Sequence, residues 1–186
     1  MRGRGGRAER RGGACASGRL ACALLTLAAL AALSPSLHAQ VTRRTVATLP
    51  FAQGLIVVDA HSDGRIVVGA SRDSGTIATS LAAPAVKEWA DSTARILAFR
   101  APAARTPQAY RATVVNERTG AGISFTRHVT RGASTYRLFF ADSSYGGFPF
   151  EVSRSEAQLL VDNLRRAVAV ARTLAAPRPA PSRTPR

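Results

Sequence analysis

The sequence predicts an α+β fold: antiparallel meander sheets with two helices, arranged as an internal ββββα repeat. Three observations carry this. Short runs of β-branched and aromatic residues recur, each closed by Gly, Ser or Asp. Two segments place apolar residues at helical spacing. Finally, sliding residues 66–98 onto 137–169, an ungapped shift of 71, matches strand, turn, strand and helix in order. IVVGA then meets RLFFA, Gly75 meets Gly146, Asp91 meets Asp162 and Arg95 meets Arg166.

RRTVATL, 43–49, opens the first half, and the same shift lays it near TVVNERT, 114–120. LIVVDA and RIVVGA, 55–60 and 65–70, flank a turn at Ser62–Gly64. The stretch DAHSDGRIVVGA sets Asp59, His61 and Asp63 at the first, third and fifth positions of a calcium loop. Ala70 stands where such a loop needs a bidentate carboxylate, and the flanks are strand-like. The segment therefore reads as a β-hairpin, and no metal site is assigned. IATSL follows as the fourth strand. A helix is predicted over 84–98, with Pro84 in its first turn and Val86, Trp89, Ala90, Thr93 and Leu97 on one face. Trp89 is the only tryptophan and lies on that stripe, which makes it a core residue.

AFRAPAARTPQA, 98–109, contains the linker between the halves, 99–109. YRATVVNE (110–117), GISFTRHVT (122–130), TYRLFFAD (135–142) and FPFEV (148–152) are the strands of the second half. The turns RTGA, RGAS and SSYGG separate them. A longer helix is predicted over 154–174, where Ser153 and Glu156 have capping-box spacing. Ala157, Leu160, Val161, Leu164, Val168 and Ala171 form its apolar stripe, and Asp162 and Arg166 can pair across one turn. Each half of about 60 residues is marginal alone, so the two are expected to share one core. The halves run from about 42 to 98 and 110 to 174 within one domain, 40–175. The Pro- and Arg-rich tail, 176–186, has nothing to bury and reads as disordered. The repeated strand–strand–strand–strand–helix order resembles that of the Pur-type and Whirly-type single-strand nucleic-acid binders. That similarity of element order implies a nucleic-acid-binding alternative.

Residues 1–39 read as a signal peptide. Six Arg precede Leu20, fourteen uncharged residues follow, and SPSLHA leads to a cleavage point near Ala39. The protein is thus expected to be exported, to the periplasm or beyond. Both cysteines, Cys15 and Cys22, lie in this leader, so the exported part has no thiol chemistry. The whole chain carries a formal charge of +15, which favours anionic partners.

No G-x-S-x-G, Walker or metal-ligand pattern is present in the sequence. The sequence implies no cofactor and names no catalytic residue. The expected function is an exported, non-catalytic binding module whose basic surface meets an anionic polymer, an anionic lipid surface or a protein. One alternative is a small hydrolase-like enzyme whose site assembles in space from acids such as Asp59, Asp63, Asp73 or Asp142. The other is a single-stranded nucleic-acid binder, against which export argues. Free sheet edges leave room for a homodimer. The anion-binding candidates are Arg111, Arg127, His128 and Arg137. Arg127 falls in phase with the core side of its strand, while His128 and Arg137 lie with hydroxyl-bearing residues. Tyr145 and Phe148, in the glycine-rich DSSYGGF loop, are the surface-loop candidates.

Overall fold

The computed structural model describes residues 41–102, 106–143 and 146–176. The predicted leader, Tyr145 and nearly all of the predicted tail lie outside the described residues. Eight strands and two helices follow in order among the described residues. They are β1 (Arg43–Phe51), β2 (Gly54–His61), β3 (Arg65–Arg72), β4 (Gly75–Ala82), α1 (Ala83–Ala98), β5 (Gln108–Val115), β6 (Gly122–Thr130), β7 (Ala133–Ala141), β8 (Gly147–Val152) and α2 (Arg154–Ala175). Each set of four strands forms an antiparallel meander, in the orders β1-β2-β3-β4 and β5-β6-β7-β8. The α+β class and the ββββα–ββββα arrangement are therefore as the sequence predicts. No helix among the described residues is long and apolar enough to cross a membrane.

The hairpin turns follow local chemistry. Gly64 takes φ +80° in the turn between β2 and β3. The Asp63 carboxylate there accepts from Arg65 Nε at 2.6 Å, which lowers its pKa, chiefly through that side-chain bond. Between β6 and β7 the two-residue connection Arg131–Gly132 has φ of 51° and 83°. Two positive φ values match the twist of a tight hairpin.

The helices are crossed between the halves. α1 follows the first sheet but packs mainly against β5 of the second, whereas α2 follows the second sheet and packs on β1, β2 and β3. The two helices also pack against each other. Trp89 of α1 is buried, and its indole Nε1 donates to the Ala112 carbonyl of β5 at 3.1 Å. The Asp91 carboxylate of α1 accepts from Arg165 Nη2 of α2 at 2.8 Å and from Lys87 at 2.8 Å. Its pKa is lowered, first by Lys87 and then by Arg165. The predicted Asp162–Arg166 pair is not the contact formed: Asp162 accepts from Gln158 Nε2 at 3.0 Å and has Arg165 nearby at 3.9 Å. One continuous core results, with Ile56, Val58, Ile66 and Val68 from the first sheet, Ile123, Phe125, Leu138 and Phe140 from the second, and both helix stripes. Each fully buried side chain of this kind is worth about 1.5–3 kcal/mol, so each half stabilises the other's sheet.

The repeat needs gaps that the ungapped shift lacks. That shift does match the buried helix residues Val86, Trp89, Ala90, Thr93 and Leu97 to Ala157, Leu160, Val161, Leu164 and Val168. However, Leu81 pairs with Ile66, whereas Val152, the counterpart of Leu81, pairs with Tyr136. Ile66 therefore corresponds to Tyr136 and not to Arg137. A one-residue slip exchanges the faces of a strand, so IVVGA meets YRLFF. Ile66 pairs with Ala60 and Tyr136 with Arg127, which places Arg127 at the position of buried Ala60. Arg44 pairs with Ala60 and Tyr110 with Arg127, so β1 corresponds to β5 and not to TVVNERT. Loop length is the cause: residues 52–53 join β1 to β2, whereas residues 116–121 join β5 to β6.

Candidate anion-binding face

Because the helices cover the inner faces, residues pointing the other way form two outer sheet faces. Their chemistry differs between the halves. On the second sheet one cross-strand row runs Arg111, Thr126, Arg137, Glu151. The next row holds Ala109, His128 and Thr135, and the row on the other side holds Thr113, Ser124, Phe139 and Pro149. Thr126 is buried between two exposed arginines, Arg111 and Arg137. Neighbouring strands lie about 4.8 Å apart, so the backbones under these arginines are about 10 Å apart. Arg111 Nε donates to Thr126 Oγ1 at 3.4 Å, which leans its side chain across the sheet. Arg137 meets Glu151 at 3.3 Å, an exposed pair that contributes little to stability.

A groove of about 460 Å³ borders this row at the start of α2. His128, Thr135, Arg137, Glu151, Ser153 and Arg154 are among its lining residues. Ser153 caps the helix: its Oγ accepts from Glu156 N at 3.1 Å, and its own N–H donates to Glu156 Oε2 at 2.7 Å. The Glu156 pKa is lowered by the Ser153 hydroxyl bond first and the backbone bond second. The helix end is thus satisfied internally, and the groove's cationic groups are Arg137 and Arg154.

The structure brings together three of the four predicted anion-binding residues, Arg111, His128 and Arg137, on one outer face. Arg127 lies elsewhere. It is 8% exposed on the inner side of β6. Its Nη1 donates to the carbonyls of Ile96 at 2.9 Å and Phe99 at 2.6 Å, and its Nε and Nη2 donate to Ser134 Oγ at 3.2 and 3.1 Å. The guanidinium also sits 5.9 Å from the Tyr136 ring centre. Ile96 lies in the last turn of α1, where carbonyls lack helical partners and the helix end is negative. Arg127 of the second half therefore fastens the C-terminal end of the first half's helix. Phe148 is half-buried and packs on the core, while Tyr145 is outside the described residues. Arg154 joins the site without having been singled out in the sequence. Its signal was present, since a residue just after a helix cap must sit beside the preceding strand's end.

The outer face of the first sheet is apolar at its centre and polar at both ends. Leu55, Val57 and Val67 point outward there, and Thr48, Val57, Gly69 and Ala78 form its central row. LIVVDA and RIVVGA carried this signal, because continuous apolar runs put apolar side chains on both faces of a strand. Among the described residues no group of three or more His, Cys, Asp or Glu side chains could hold a metal ion. The chain matches no protein-family model and no curated protein.

Proposed function

We propose that this protein is an exported binding module that holds an extended acidic polysaccharide along the outer face of its second sheet. The row Arg111–Thr126–Arg137, backed by His128 and bordered by Arg154, is the observation that supports it most. Guanidinium groups bind sulfate and carboxylate by paired hydrogen bonds, and hydroxyls beside them add polar contacts to sugars. The signal-peptide reading of residues 1–39 supports an extracytoplasmic partner. A second reading, a single-stranded nucleic acid, is favoured by Phe139, which is 37% exposed one row from Arg137 and offers a ring for base stacking.

The test is a titration of fluorescent heparin oligosaccharide and of an oligonucleotide of equal charge, over rising salt. The proposal expects heparin binding that weakens with salt and is lost in the double variant Arg111→Gln/Arg137→Gln. A charge-matched control, Arg95→Gln/Arg172→Gln on the helices, should bind as the parent does. Equal losses in both double variants would mean diffuse charge and would overturn the assignment of this face. Preference for the oligonucleotide, with loss on Phe139→Ala, would favour the second reading.

A further inference from the structure

We propose that the outer face of the first sheet is a separate binding groove for a long-chain carboxylate, with its alkyl chain across Gly69 and its head at Arg43. The groove is open to solvent and offers about 330 Å³, and Leu55, Val57 and Val67 supply its apolar walls. That volume falls at the small end of ordinary ligand sites.

Gly69 makes the groove concave. It is flanked in the sheet by Val57 and Ala78, so its missing side chain leaves a dent in the central row. Neither conformation nor packing requires glycine here. Its φ is not positive, and a Cβ would meet nothing closer than the Ile77 carbonyl oxygen at 3.9 Å. Position 69 corresponds to Phe139 in the second half, through the same pairing that aligns Ile66 with Tyr136. Where one face has a ring standing out, the other has a hollow.

One end of the groove is polar and preorganised. Asp59 is buried there, with its carboxylate accepting from Thr45 Oγ1 at 2.7 Å and from Arg43 Nη2 at 2.8 Å. Arg43 is held by this contact, yet its side chain is 61% exposed. His61, directly across from Arg43 in the sheet, lines the same end. Asp59 cancels one charge but also fixes the guanidinium, whose outer edge is then presented to an anionic head. At the other end, Ser71 and Thr76 satisfy each other at 3.0 Å. From Leu55 to His61 the strand spans about 20 Å, room for an extended alkyl chain with its head at Arg43. A second copy of the chain is a poorer occupant: ten residues line the groove, against roughly 20–30 on each side of a stable protein interface.

Calorimetric titration of the whole protein with dodecanoate, below its aggregation threshold, tests this. The expected result is saturable one-to-one binding. Gly69→Val should weaken it by about tenfold or more while the unfolding midpoint holds or rises, because a Cβ at this position meets no atom closer than 3.9 Å and valine suits a strand. Ala78→Leu, at an exposed position beside the dent, should act the same way and guards against misfolding of the first variant. Dodecyltrimethylammonium, with the same tail and the opposite charge, should bind at least about tenfold more weakly. Arg111→Gln/Arg137→Gln should bind dodecanoate as the parent does, so the fate of the polysaccharide reading leaves this test unaffected. Absence of saturable binding, unchanged affinity in both groove-filling variants, or equal affinity for the ammonium compound would each overturn the proposal.

Discussion

Replacing Arg127 with Met keeps most of the side chain's apolar stem and removes its guanidinium. The carbonyls of Ile96 and Phe99 then lose donors that stand at 2.9 and 2.6 Å. Ser134 Oγ loses its two contacts, and the Tyr136 ring loses the cation above it. Hydrogen bonds from a charged donor contribute about 1.5–3 kcal/mol each, and the two carbonyl bonds alone give about 3–6 kcal/mol. Against this stands the cost of burying a charge with no carboxylate beside it, a few kcal/mol that the variant no longer bears. The net expectation is a loss of about 2–4 kcal/mol. With a urea m-value of about 1.5 kcal/mol/M, the midpoint should fall by about 1.3–2.7 M. Trp89 fluorescence reports the transition directly, because that indole is buried between α1 and β5. Arg127→Lys should recover only part of the loss, since an ammonium cannot span the same fork of acceptors. An unchanged midpoint in Arg127→Met would refute the fastening role. Loss of heparin binding in a fully folded Arg127→Met protein would instead restore Arg127 to the anion site that its sequence neighbours suggest.

Two further outcomes follow from single contacts. Ser153→Ala removes the cap of α2 and should cost about 0.5–2 kcal/mol in urea unfolding. Because the folded Glu156 pKa is lowered, its share of this stability is present above the ordinary glutamate value and fades as pH falls through the lowered one. The gap between the parent and Ser153→Ala midpoints should therefore narrow in acid; a gap that widens there would contradict the capping-box account. Thr93 Oγ1 is buried without a hydrogen-bond partner among the described residues. Thr93→Val, nearly equal in volume, should raise stability by about 1 kcal/mol, and a fall in the thermal midpoint would show that the hydroxyl has a partner after all.

The hairpins were legible in the sequence because glycine and β-branched runs act locally. α2 was legible through its cap and apolar stripe, and so was the burial of Trp89. The crossing of the helices was not, since each stripe would suit either sheet equally well and only the connecting geometry decides between them. Alternation placed Arg127 on the core side of β6, but nothing local says that the carbonyls at the end of α1 lie within its reach. The same alternation placed Arg111, His128 and Arg137 together on the other face. The hollow at Gly69 was hidden for another reason: a glycine among apolar residues reads as a weak strand position until its cross-strand neighbours are known.

Both candidate faces are open only if each helix lies on the inner side of the opposite half's sheet. Methyl and aromatic nuclear Overhauser contacts in the folded protein measure this most directly. Leu160, Leu164 and Val168 of α2 are expected to contact Leu49, Ile56 and Val58 of the first sheet, while the Trp89 ring contacts β5. Contacts from α2 to Val57 or Val67, or from Trp89 to β1 and β2, would contradict it.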